Sequence, residues 1–159
     1  RVVGYEPAGA RGHVEALRAR AAELGVEDRI RFDGPLARAD LLRVCALHDA
    51  GLSLMPRATG DANLRLMLGA SNKSFEYLAC GVAPIVSDLP EWRAAFVEPG
   101  YALACDPADA ASIAAALEWA AANRAALRAM GDAGRRRVLD DWNYEHQFAP
   151  VADLLRGAA

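Results

Sequence analysis

The sequence predicts an α/β fold, a mostly parallel sheet with helices on both faces. The rhythm of the chain predicts it. Short apolar runs alternate with helical segments along the 159 residues, the rhythm of βαβ units. Right-handed crossovers between parallel strands then place helices on both faces. The length suffices for one domain with a real core, so 1–159 is read as a single domain.

In order, "RVVGY" (1–5) reads as a strand. Residues 10–25 read as an amphipathic helix with Val14, Leu17, Ala21 and Leu24 on one face and Gly25 as its stop. "RIRFDG" (29–34) is a strand with a turn, and 38–50 a helix with Leu41, Leu42, Cys45 and Leu47 inward. "GLSLMP" (51–56) is a strand ended by Pro56. A long loop follows, and loops of that length in compact α/β units are more often functional. The helix 72–80, the strand 82–88, a short helix 90–97 and the strand 101–106 come next. Three helices close the chain, at 108–122, 124–139 and about 144–157.

Composition narrows the function. The net charge of −3 argues against a nucleic-acid partner or an anionic membrane surface as the main business. No apolar run reaches the roughly 18 residues of a membrane span. Of the 53% hydrophobic residues, many are alanine, which favours helix and adds little core volume. Cys45, Cys80 and Cys105 are odd in number and lie in apolar segments, as reduced, buried thiols of a cytoplasmic protein do. The chain opens on a strand with no Met and no leader pattern, as a piece of a longer protein would.

Open α/β sheets bind ligands beyond the carboxyl ends of their strands. The helix 72–80 follows the strand 51–56, so its N-terminus points to that edge. Its first-turn N–H groups and dipole attract an anion, and Ser71 or Asn72 can cap it. Lys73, the one lysine in the chain, stands in that turn, where the dipole disfavours a cation and an anionic ligand would relieve the conflict. Glu76 follows on the same face as Asn72 and Lys73, placed to accept two hydroxyl hydrogen bonds, such as a ribose offers. Spacing alone leaves a second reading open, an exposed Lys73–Glu76 ion pair worth at most ~1 kcal/mol.

"NKSFEYLACGVAPIVSDLPEW" resembles a segment of the retaining GT-B glycosyltransferases of the large group 1 (family 4) type. The resemblance extends in order through "VVGYEPAG…RIRFDG", "DLLRVCALHDAGLSLMP", "YALACDPADAASIAAALEWA" and "RRRVLDDWNYEHQF", nearly the whole chain. It implies the Rossmann-like, donor-binding C-terminal half of a two-domain enzyme, lacking that half's first strand–helix unit. The substrate would be a nucleotide-sugar. Glu76 matches the second glutamate of the family's E-x7-E motif, which binds the donor ribose. Asn72 and Lys73 would lie by the diphosphate, and the turn Gly34, Pro35, Leu36 would face the base through main-chain groups. The first glutamate of the motif falls at Leu68, which cannot bond a sugar hydroxyl; Asp61 or Asn63 in the long loop could substitute. No catalytic residue is assigned, and no metal or cofactor beyond the donor is called for.

The partner implied is an N-terminal acceptor-binding domain. The setting is cytoplasmic, with a membrane-surface acceptor and the inner membrane face as a further option. A half lacking its central first strand would expose sheet edges and self-associate. A GT-B-like sugar-nucleotide epimerase and a non-catalytic α/β interaction domain are the alternatives.

The remaining polar positions carry structural readings. Asp88-Leu-Pro-Glu91 has capping-box spacing, with Ser87 or Asp88 as a lesser donor contact. Cys45 and His48 lack a second pair for a metal, and His13 and His146 suit the surface. Arg135–Arg137 complete a helix end or touch acidic lipid, and Trp142 and Tyr144 anchor the last helix.

Overall fold

The structure is a computed structural model that describes residues 1–6, 9–56 and 71–157. They form two compact units, Arg1–Val44 and Cys45–Ala159.

In the first unit, α1 spans His13–Glu23 and α2 spans Arg38–Cys45. The two expected strands narrow to one parallel bridge, Val2 to Phe32, held by Val2 N–H on the Arg31 carbonyl (2.7 Å) and Asp33 N–H on the Val2 carbonyl (3.0 Å). Gly25, at φ 63°, ends α1 as expected, its N–H returning to the Ala22 carbonyl at 2.9 Å. The apolar stripe of α1 is covered less than expected. Ala21 is buried, but Leu17 and Leu24 are exposed, because a single bridged pair offers little surface to pack against. The helix expected over 38–50 stops at Cys45, and Leu47 beyond it is 80% exposed rather than inward.

Carboxylates pin this unit. Glu6 accepts the backbone N–H groups of Val14 (2.6 Å) and Gly12 (3.1 Å), closing the first turn of α1 in place of an N-cap side chain. Those bonds hold its carboxyl below the usual range. Asp33 is gripped by the Arg1 guanidinium and by Arg31 at 2.5 Å, with the same direction of shift, Arg1 contributing most. A depressed folded pKa contributes stability above the ordinary carboxylate range and loses it as pH falls. Amide protection of residues 2–33 should therefore weaken below about pH 4. Protection factors that stay level from pH 6 to pH 3 would refute this.

In the second unit, strands β1 (Ala50–Ser53), β2 (Ala83–Ser87) and β3 (Leu103–Cys105) form a parallel sheet in that order. Helix α3 (Asn72–Ala79) connects β1 to β2, and α4 (Pro90–Trp92), continued by a π turn over Arg93–Val97, connects β2 to β3. Helices α5 (Ala110–Ala122), α6 (Arg124–Asp140) and α7 (Tyr144–Gly157) complete it. β2 is buried at all five residues, as a central parallel strand should be. Its side chains alternate between two clusters. Val86 joins Leu78, Trp92 and Phe96 on the side of α3 and α4, while Ala83 joins Ala120 and Leu127 of α5 and α6. Helices thus cover both faces, as predicted.

Local details depart from expectation. The Asp88–Glu91 box does not close: Leu89 holds the N-cap position without a side-chain bond, and Asp88 takes Arg93 at 3.1 Å. Asp109 does cap α5, accepting the Ala111 N–H at 2.9 Å. Of the three free cysteines, only Cys105 is buried. Trp142 packs into the core cluster as expected, but Tyr144 is 75% exposed and stacks on Phe148 instead of anchoring α7.

Candidate functional site

The site is built on β1, β2 and the helix between them. β1 must run close under α3, and Gly51 allows it: a Cβ there would lie 2.5 Å from the Tyr77 ring. At the carboxyl end, Ser87 clamps the exit of β1. Its hydroxyl donates to the Met55 carbonyl and accepts the Met55 N–H, each at 2.6 Å. Ser87 is fully buried, so its hydroxyl serves the scaffold and not a ligand.

Among the described residues no side chain caps the N-terminus of α3. Ser71 sits at the N-cap with extended backbone, yet its side chain makes no capping bond, contrary to the expected cap. No acidic residue lies in the first turn. α1 and α5 both have a carboxylate at this end; α3 has Lys73. Asn72 and Lys73 are exposed and Glu76, one turn on, is half-buried. No Lys73–Glu76 ion pair is found among the described residues, and Glu76 has another interaction of its own. Phe75 and Leu78 face the core. The geometry can therefore hold an anion at the first turn, which Ser71 does not cap, with a carboxylate one turn below it.

Sequence reading missed two groups here. The hydroxyls of Ser53, at the end of β1, and Ser74, in the first turn of α3, are buried without a hydrogen-bond partner. An orphaned hydroxyl costs ~1–3 kcal/mol, so the edge carries unmet polar capacity. The available signal was a serine at an inward position: Ser74 one turn before Leu78, Ser53 two residues after Gly51.

Gly34 lies in the first unit with φ 66°. Its carbonyl already accepts the Gly4 N–H at 3.0 Å, and Pro35 has no N–H to give. Asp61, Asn63 and Leu68 lie outside the described residues. His13 and His146 are on the surface, as expected.

Comparison with known proteins settles the kind of domain. Residues 7–153 match the family model described as "Glycosyl transferase-like". The chain belongs to this glycosyltransferase family. It is 30% identical over 146 residues, 91% of its length, to the GDP-mannose-dependent alpha-(1-6)-phosphatidylinositol monomannoside mannosyltransferase of Mycolicibacterium smegmatis. Its fold matches that of sucrose-phosphate synthase from Thermosynechococcus elongatus with a TM-score of 0.74 over 99% of this chain, at 22% identity. The chain spans 37% and 38% of these two relatives. The family match agrees with the resemblance read from the motifs, and neither the epimerase nor the interaction-domain alternative is favoured by it. No helix among the described residues is long and apolar enough to cross a membrane.

Proposed function

We propose that this glycosyltransferase-family chain is the donor-binding part of an enzyme that moves a sugar from a nucleoside diphosphate sugar to an acceptor. The observation that carries the proposal is the first turn of α3, which Ser71 does not cap, which has no acidic residue and which carries Lys73. A diphosphate there meets first-turn N–H groups, the positive end of the dipole and one full positive charge. The same groups stabilise the departing diphosphate as its charge develops, with no rearrangement needed at that moment. Glu76 accepts the ribose hydroxyls. Its half-buried position strengthens those bonds relative to a fully solvated carboxylate.

The turn Gly34–Leu36 is assigned to the base on the resemblance. With the Gly34 carbonyl engaged and Pro35 lacking an N–H, the Gly34 and Leu36 N–H groups and the Pro35 carbonyl are the groups to use. Asp61 and Asn63 are assigned to the sugar on the same ground. The acceptor belongs to a further, N-terminal domain. A cytoplasmic enzyme working at the inner membrane face is the setting this reading implies, since the mycobacterial relative is named for a phosphatidylinositol mannoside acceptor. β1 and β3 are the outer strands of the sheet among the described residues, and association through such edges belongs to the same reading.

Calorimetric titration of GDP, UDP and ADP tests it, GDP first because of the mannosyltransferase relative. One of them should bind. Glu76→Ala should weaken it by about 1–3 kcal/mol, the range for a lost hydrogen bond to a charged group. Lys73→Ala should weaken the diphosphate while leaving the nucleoside unaffected. Equal affinity in the wild type and Glu76→Ala, or no binding by any of the three, would remove the assignment.

A further inference from the structure

A basic cleft lies at the amino ends of the strands, opposite the candidate site. The loop Ala46–Asp49 before β1, the loop Cys80–Val82 before β2, and one face of α6 enclose about 250 Å³. Arg124, Arg128, Asp132 and Arg135 line it, spaced so that they follow one face of α6. Gly131 on that face brings the helix backbone against the loop, since a Cβ there would meet the Gly81 carbonyl oxygen at 2.2 Å. Asp132 and Arg135 flank the contact, each 3.8 Å from the position a Gly81 Cβ would take.

The charges in this cleft are unbalanced. Arg124 is held by Asp49 at 3.1 Å. Arg128 and Arg135 have no carboxylate partner among the described residues, and Asp132 pairs with neither. Three arginines face two aspartates, in a chain whose net charge is −3. A structural use for the free guanidinium groups, capping the end of α3, is already taken. Gly81, at φ 75°, closes that end itself: its N–H bonds the Leu78 carbonyl (2.8 Å), and the Val82 N–H bonds the Tyr77 carbonyl (2.9 Å). That is the reciprocal pair of a Schellman turn.

We propose that this cleft binds a small phosphate monoester, with Arg128 and Arg135 as its ligands. Guanidinium forks match phosphate oxygens two at a time, and the volume admits a phosphate with a short organic tail. The assignment gives a role to Arg135 of the arginine run 135–137. Arg137 is otherwise engaged, with Asp141 at 2.6 Å and over the Trp142 ring at 5.3 Å. The proposal stands apart from the donor reading, because no residue of the cleft was assigned to the donor.

Titration of glycerol 3-phosphate and of inorganic phosphate into the whole chain, at fixed ionic strength, tests it. One glycerol 3-phosphate should bind per chain. Affinity should fall about tenfold or more in Arg128→Ala/Arg135→Ala and stay unchanged in Lys73→Ala. Both arginines are exposed, and Arg128→Gln/Arg135→Gln, which keeps more of the side-chain volume, should reproduce the loss. Absence of binding, equal affinity in both double variants, or loss in Lys73→Ala would overturn the proposal. So would binding confined to phosphatidic acid vesicles, which would make the face a membrane contact.

Discussion

Phe96→Ala should lower the stability of the second unit by about 3–5 kcal/mol, the usual range for a large aromatic removed from a core. Phe96 has no exposed surface and lies at the centre of a ring cluster. Its neighbours Phe75, Trp92 and Trp142 stand edge-on at 5.5, 5.8 and 5.7 Å. Each such pair adds about 0.5–1.5 kcal/mol beyond area burial, and one substitution removes three. The π turn is what aims the ring. The Glu98 N–H reaches back to the Arg93 carbonyl at 2.9 Å, and the extra residue in that turn carries Phe96 into the core. Trp92 and Trp142 report the loss directly by fluorescence during urea unfolding. A change below about 1 kcal/mol would mean that the surrounding rings collapse into the space. Phe75 also lies on α3, beside Glu76, so the variant should loosen the helix assigned to the nucleotide. Weaker nucleotide binding without any loss of fold would place the effect there.

The parts of this architecture legible in the sequence are those set by neighbours along the chain. β2 was plain because its apolar run is continuous, read as 82–88 against Ala83–Ser87. α3 was placed to within a residue, at Asn72–Ala79 against 72–80. What the sequence hid depends on partners far away. Glu6 closes α1 from outside the helix, where a local cap would be sought at Gly12. Ser87 is saturated by Met55, 32 residues earlier, and its hydroxyl alone does not disclose that. The box at Asp88–Glu91 had the right spacing, but Arg93 took its aspartate. In the candidate site the positive charge in the first turn of α3 could be read from Lys73, but the missing Ser71 cap could not. The orphaned hydroxyls of Ser53 and Ser74 could not, because burial of both follows from how closely α3 sits on β1.

That closeness has a counterpart between α3 and α6, and it supplies a second large expected effect. Gly131→Ala should destabilise the second unit by about 2–3 kcal/mol, within the range for overpacking a tight core. An added Cβ would stand 2.2 Å from the Gly81 carbonyl oxygen, 2.8 Å from its carbon and 3.1 Å from the Ala83 nitrogen. All three are backbone atoms, so no rotamer change relieves the contact. In an exposed helix the same substitution stabilises by about 0.5–1 kcal/mol, so the sign alone tests the geometry. Gly134→Ala is the internal comparison. Its Cβ would meet Leu78 Cδ2 at 2.4 Å, the end of a flexible side chain, and the cost should be smaller. Thermal unfolding should rank the chains wild type, Gly134→Ala, Gly131→Ala. A neutral or stabilised Gly131→Ala would show that α6 can move away from the turn between α3 and β2. The reverse result carries a consequence for the site, because that turn fixes where α3 ends and therefore where its first turn, with Lys73, is held.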